Sequence, residues 1–409
     1  MKRVALALLL LALLCSSVAA FDAVGRIIRI DHDKNVMHVN ANGRDRVVAI
    51  AKDVKVSDAE GKVVEAGLKW DELKEDAMVT LTVERLGGGP TITAIRLGGR
   101  PARPDRPDRA AGPQGGKESM GFKPLSEMGA EDKYKGEDGG LYGSGKNEPP
   151  AAHLAAAKKA TQQITPLDAD GKPSASGTIA MVSISMSNAT QEFSMFKQIA
   201  DRDERKSGKL TIVDCAQGGQ AMAEWVDPDA RPWQEAMRRL RDAKVETNQV
   251  QIAWIKLANK GPRGDLSEHG AKLKKDTLAV IHNAKEKFPN LRVIYLASRI
   301  YAGYATGGLN PEPYAYESAF VARWLIQDQI KGVSELAFEG DDPKAAVLLW
   351  GPYFWSDGTT PRKSDGLVWK REDFAGDGVH PSQSGRRKVA DMMLKFYTTD
   401  ELAKSWFTQ

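Results

Sequence analysis

The chain has 409 residues, 42% of them hydrophobic and 27% charged, and carries a formal net charge of +4. This is an ordinary globular composition and a long chain for one average domain, so two domains, or one with additions, are expected. The near-neutral charge argues against a nucleic-acid binder, whose domains carry a pronounced basic patch, and two cysteines are too few for a disulfide-stapled scaffold.

Residues 1–20 combine Lys2-Arg3, an apolar run from Val4 to Leu14 and a small-residue end at Val18-Ala19-Ala20. That is the pattern of a cleaved secretory signal peptide, and it predicts a secreted or periplasmic protein. The run is too short to span a bilayer, no later stretch qualifies, and Leu14 before Cys15 argues against a lipid anchor. Cleavage removes Lys2 and Arg3, lowers the charge from +4 to about +2, and leaves Cys215 alone, so no internal disulfide can form.

Residues 21–97 read as a small all-β, barrel-like domain. Six short β-type runs, Val24–Ile30, Val36–Asn40, Arg46–Ile50, Val54–Val56, Met78–Val83 and Thr91–Ile95, are separated by turn signals such as Asp33-Lys34-Asn35 and Gly87-Gly88-Gly89-Pro90. This suits an oligonucleotide/oligosaccharide-binding type of barrel. No aromatic stripe marks its strands, so a structural or partner-docking role is preferred over ligand binding. Residues 98–118, GGRPARPDRPDRAAGPQGGKE, cannot bury apolar surface and read as a stiff, solvated linker.

Residues 119–409 alternate apolar runs with helical patterns. The predicted strands are Thr178–Ile184, Lys209–Asp214, Gln249–Leu257, Leu291–Ala297 and Ala345–Trp350. The predicted helices are Gln191–Arg202, Pro232–Lys244, Lys272–Lys287, Tyr314–Lys331 and Ser384–Phe396. Such βαβ units imply an α/β fold with a largely parallel sheet and helices on both faces, and place the active site at the carboxyl ends of the strands.

Four blocks fall at those ends or near the C-terminus: Ser185-Met186-Ser187-Asn188, Ala216-Gln217-Gly218-Gly219, Ala258-Asn259-Lys260-Gly261 and Asp377-Gly378-Val379-His380-Pro381-Ser382. A serine hydroxyl becomes a useful nucleophile when a base takes its proton and a third group orients that base. Asp377 and His380, three residues apart, suit that pair. The developing oxyanion needs donors held in place, which the amides of Ser187 and Gly219 and the side chain of Asn259 can supply, each worth about 3 kcal/mol.

In this order the blocks resemble the SGNH (GDSL-type) hydrolases, whose name lists Ser, Gly, Asn and His. The resemblance implies a three-layer α/β/α sandwich with a parallel sheet, of flavodoxin-like type. It also implies Ser187 as nucleophile, Gly219 and Asn259 as oxyanion-hole residues with Ser187, His380 as general base and Asp377 as its partner. The usual G-D-S and G-x-N-D are Ser185-Met186-Ser187 and Leu257-Ala258-Asn259-Lys260 here. From about Met120 onward the chain also resembles an extracytoplasmic, planctomycete-type branch of these proteins. Gly139-Gly140-Leu141-Tyr142, Pro149-Pro150-Ala151-Ala152-His153, Thr190-Gln191-Glu192-Phe193, Ser298 to Tyr304, Asn310 to Tyr314 and Trp350 to Tyr353 carry that resemblance.

Plainer readings stand beside these. Ser187 is a good N-cap for a helix starting near Thr190, Glu192 suits a first-turn helix carboxylate, and Cys215 at a strand end suits a buried small hydrophobe. His32 and His38 lie in the small β domain and His153 in the segment leading into the larger one, and His269 and His282 show no matching carboxylate spacing. Arg299, Tyr301 and Tyr304 follow the fourth strand, where they either hold a polar, sugar-like substrate or pack the loop on itself. No metal or cofactor motif is visible, so none is expected. The expected activity is a secreted serine esterase cleaving a small-molecule or glycan ester, with carbohydrate O-deacetylation favoured by compartment. The alternatives are an SGNH-like glycan- or envelope-binding protein without catalysis and a long-chain, lipase-like esterase.

Overall fold

The computed structural model describes residues 21–41, 44–59, 61–86, 89–98 and 116–408; the signal peptide expected over 1–20 and most of the linker expected over 98–118 lie outside them. The chain divides into two compact units, Met1–Gly112 and Pro113–Gln409.

In the first unit, β1 (Phe21–Asp31), β2 (Val36–Ala41), β3 (Arg44–Ser57), β4 (Met78–Leu86) and β5 (Gly89–Leu97) close into a barrel in the order β1-β2-β3-β5-β4. Alternate residues turn inward, Met37 and Val39 on β2 and Val79, Leu81 and Val83 on β4, to form a core with Ile27, Ile50 and Ile92. Five strands replace the six expected. Arg46–Ile50 and Val54–Val56 belong to one strand, whose pairing with β5 shifts register between Ile50 and Lys55. β3 pairs antiparallel with β2 and parallel with β5. The barrel is therefore mixed in strand direction, not uniformly antiparallel.

In the second unit, β6 (Ile179–Ile184), β7 (Leu210–Asp214), β8 (Val250–Lys256), β9 (Val293–Ala297) and β10 (Val347–Trp350) form an all-parallel sheet in the order β10-β9-β8-β6-β7. Every residue of β6 and β8 is buried, as expected of central strands covered on both faces. The helices are α1 (Ala151–Gln162), α2 (Ser187–Ala200), α3 (Arg231–Asp242), α4 (Leu266–Lys287), α5 (Tyr314–Ile330), α6 (Gln383–Thr399) and α7 (Glu401–Phe407). α1, α2, α6 and α7 pack into one layer and α3, α4 and α5 into the other, completing an α/β/α sandwich. Among the described residues no helix is long and apolar enough to cross a membrane.

Two helices, α2 and α4, start a turn or more earlier than expected, for local reasons. α4 begins at Leu266 because Asp265 caps it, its carboxylate accepting from Glu268 N at 3.1 Å. α2 begins at Ser187, directly after β6. The chain runs from β6 to β7 on one side and then crosses to β8 on the other, so the ends of β6 and β8 flank the crevice where connections diverge.

A polar cluster ties the ends of β6 and β7 to α2. Asp214 accepts from Ser183 Oγ at 2.5 Å, and from Thr190 Oγ1 and Ser194 Oγ at 2.6 Å each, while Ser183 Oγ accepts from the amides of Cys215 and Ala216 at 3.1 Å. Removing the carboxylate takes the acceptor from the hydroxyls of Ser183 and Thr190, and from the exposed Ser194. Asp214→Ala is expected to cost about 2–3 kcal/mol, read as a lower urea midpoint; an unchanged midpoint would contradict this role.

Candidate active site

Helix α2 places Ser187 in its first turn. Met186 occupies the N-cap position and no side chain caps the helix. Ser187 is therefore not a capping residue; its Oγ lies 2.7 Å from His380 Nε2. On the other ring edge, His380 Nδ1 lies 2.5 Å from Asp377 Oδ2. A carboxylate opposite Nδ1 assigns the imidazole proton to that nitrogen and leaves Nε2 to accept the seryl proton.

The turn that carries His380 is built around the same aspartate. Asp377 Oδ1 accepts from the amides of Val379 and His380, both at 3.0 Å. Gly378 sits at φ +68°, and a Cβ there would come within 1.7 Å of the Tyr304 carbonyl oxygen, so only glycine fits. Partial burial opposes ionisation of Asp377. The hydrogen bonds from His380 and the two amides outweigh it and hold the carboxyl below its usual value. Asn188, buried beside Ser187, donates from Nδ2 to Val379 O at 2.9 Å and fixes this turn against the start of α2.

The expected oxyanion donors converge on the same cavity, a space of about 250 Å³ whose wall includes Ser187, Gly219, Asn259 and His380. Gly219 stands at φ +75° in a turn closed by Gln220 N donating to Gln217 O at 3.2 Å, a conformation that favours glycine. Gly219 lines the cavity and Gly218 does not. Asn259 Oδ1 accepts from Ala223 N at 3.0 Å and its Nδ2 donates to Asp276 Oδ2 at 2.6 Å. These partners fix the amide orientation and leave one Nδ2 hydrogen uncommitted. Leu257 is buried in the core, and Ala258 joins Met186 and Ala221 in a small apolar patch on the cavity wall.

Beneath the site lies a charge cluster that local sequence did not reveal. Glu192 is fully buried and hydrogen-bonded to the equally buried Lys256 of β8, and because α2 starts at Ser187 it lies beyond the first turn where it was expected. Burial pushes the Lys256 ammonium below its usual range, against the pull of Glu192. Arg299, just beyond β9, is also buried and lines the cavity.

The two tyrosines expected with Arg299 are not brought to the cavity. Tyr301 and Tyr304 are buried, with hydroxyls donating to Lys117 O at 2.5 Å and Trp369 O at 3.1 Å. They pack the loop on itself and attach Lys117, expected as linker, to this unit. His269 does have a carboxylate partner, Glu317, 48 residues away in sequence. His153 and His282 lie against the carbonyls of Leu348 and Glu335, at 2.9 and 2.6 Å. Cys215 is buried, and burial raises its thiol.

No family model and no curated protein matches the chain. Among solved structures, a Bacteroides fragilis protein provisionally called an acylhydrolase is similar at 13% identity over 62% of this chain and all of that one, with a TM-score of 0.32. The periplasmic domain of a lipopolysaccharide acetyltransferase from Salmonella ser. Paratyphi A is similar at 12% identity over 54% of this chain and 83% of that one, with a TM-score of 0.30. CusF of Escherichia coli is similar at 12% identity over 20% of this chain and 92% of that one, with a TM-score of 0.16. None reaches a TM-score of 0.5, and none bears on what this chain does.

Two outcomes follow from the electrostatics. Lys256→Met leaves the Glu192 carboxylate buried without its counter-ion and is expected to destabilise the unit by about 3–5 kcal/mol, with Lys256→Met/Glu192→Met recovering most of the loss; a near-neutral single variant in urea unfolding would contradict the pairing. The lowered Asp377 carboxyl stabilises the fold above its unfolded value of 3.8, and that contribution disappears as pH falls through the lower folded value. The stability gap between wild type and Asp377→Asn, measured by denaturant titration, is therefore expected at pH 7 and to close below about pH 4; a gap independent of pH would oppose this.

Proposed function

We propose that the chain is a secreted or periplasmic serine esterase of the SGNH type that cleaves a short acyl group, acetyl in the first instance, from a carbohydrate hydroxyl. The observation that carries the reading is the continuous contact from Ser187 Oγ to His380 Nε2 at 2.7 Å and from His380 Nδ1 to Asp377 Oδ2 at 2.5 Å. The contact joins two residues 193 positions apart near the strand ends, with a carboxylate behind the imidazole, the arrangement that a serine nucleophile and its base require.

In this reading Ser187 Oγ attacks the ester carbonyl carbon while its proton passes to His380 Nε2. The tetrahedral oxyanion is held by the amides of Ser187 and Gly219, which donate to no other acceptor among the described residues, and by the uncommitted hydrogen of Asn259 Nδ2. Collapse expels the alcohol, which takes the proton from His380, and leaves an ester on Ser187. Water then attacks that ester, again through His380, and releases the carboxylic acid. A cavity of about 250 Å³ with a wall patch of Met186, Ala221 and Ala258 suits a short acyl group better than a long chain.

One observation favours the second reading, a glycan- or envelope-binding protein without turnover. Asp276 draws the Asn259 amide toward α4, which weakens the third oxyanion donor.

Purified protein is expected to hydrolyse 4-nitrophenyl acetate faster than the octanoate. Ser187→Ala and His380→Ala should each lower kcat/KM by about a thousandfold or more. Wild-type rates in Ser187→Ala would overturn the nucleophile assignment, and no turnover by folded wild type would favour the binding protein.

A further inference from the structure

The loop from Thr306 to Asn310 runs between the two halves of the candidate site and is fastened at both ends. At one end the Thr306 amide donates to the main-chain carbonyl of Asp377 at 3.0 Å, on the turn that carries His380. At the other, Gly261 N donates to Leu309 O at 2.7 Å, and the buried Asn310 donates from Nδ2 to Asn259 O at 3.0 Å, on the block that supplies Ala258 and Asn259. The course of the loop is therefore set by the same two turns that set the catalytic geometry.

What this loop presents is apolar. Leu309 is 41% exposed, and of the large apolar side chains left exposed among the described residues it alone lines the cavity. A single exposed leucine elsewhere on a surface needs no explanation. This one belongs to the wall that includes Ser187 and His380, in which Met186, Ala221 and Ala258 are the other apolar members. Those three are already buried, so Leu309 has the most apolar surface still to lose to a ligand. The part of a sugar ester that gains from covering such a surface is its acyl chain, because the alcohol it leaves is polar.

We propose that Leu309 selects the acyl group: it covers the chain of the bound ester from the loop side, while Met186, Ala221 and Ala258 receive it from the wall. The inference rests on the reading of this cavity as the ester site and names the residue that decides which short acyl groups are taken. Each methylene added to the acyl chain buries more of Leu309, so acetyl gains least from this side chain and butyryl gains more.

The test compares variants by ratio, so that the intrinsic reactivity of each ester cancels. kcat/KM is measured for 4-nitrophenyl acetate and 4-nitrophenyl butyrate in wild type, Leu309→Ala, Leu309→Gln and Leu309→Met. The butyrate-to-acetate ratio is expected to fall about tenfold in Leu309→Ala and Leu309→Gln. It should stay within about threefold of wild type in Leu309→Met, which keeps an apolar side chain of similar volume. The ratio of 4-nitrophenyl acetate to acetylated methyl glucoside, which varies the alcohol alone, should be unchanged in all three. Because Leu309 is exposed, thermal melts are expected to match wild type. A butyrate-to-acetate ratio that is unchanged or raised in folded Leu309→Ala and Leu309→Gln, or a shift of the alcohol ratio in its place, would overturn the proposal. Wild-type turnover of acetate with none of butyrate would do the same, and in each of these cases the esterase reading stands. A wild type that turns over neither ester overturns both.

Discussion

The buried amide of Asn188 holds the candidate site together. Ser187 is positioned by the end of β6 and the first turn of α2, whereas His380 and Asp377 come from a turn just before α6, near the other end of the unit. Asn188 Nδ2 donating to Val379 O joins the two at 2.9 Å in a place that excludes water. With that bond made, the side chains on either side, Ser187 and His380, meet at 2.7 Å with little freedom left to lose. The packing of α2 against α6 in one helical layer supports the same approach from behind.

The sheet decides what lies around this contact. Because the connections diverge at β6 and β8, the crevice receives Ser187 and Gly219 from one side and Asn259 and Arg299 from the other. The cluster beneath gathers buried charges of both signs, the carboxylates of Glu192 and Glu312 with the cations of Lys256 and Arg299. Lys256 bonds Glu192 Oε2, and Glu192 Oε1 is buried without a hydrogen-bond partner among the described residues.

How much of this could be read from the chain depended on whether the information was local. The strands β6 and β8 were legible because a parallel strand buried on both faces is a continuous apolar run. The Asp377–His380 pair was legible because its geometry is contained in one turn. By contrast, Lys256 stands in an apolar strand and Glu192 in a helix 64 residues earlier, and nothing near either announces the pair. The same holds for Asn259 with Asp276 and for His269 with Glu317. Asn188 was adjacent to the serine, but its partner is a backbone carbonyl 191 residues away, which leaves no side-chain signal. Tyr301 and Tyr304 were ambiguous for a physical reason. A tyrosine that closes a loop through its hydroxyl and one that receives a sugar have the same composition, and only the fold distinguishes them.

The central claim, that Ser187 is a nucleophile activated by His380, is tested most directly by labelling folded protein with a fluorophosphonate and locating the adduct by mass spectrometry. The account predicts a single adduct at Ser187 that forms slowly or not at all in His380→Ala. An unlabelled Ser187 in folded wild type, or labelling unaffected by His380→Ala, would contradict it.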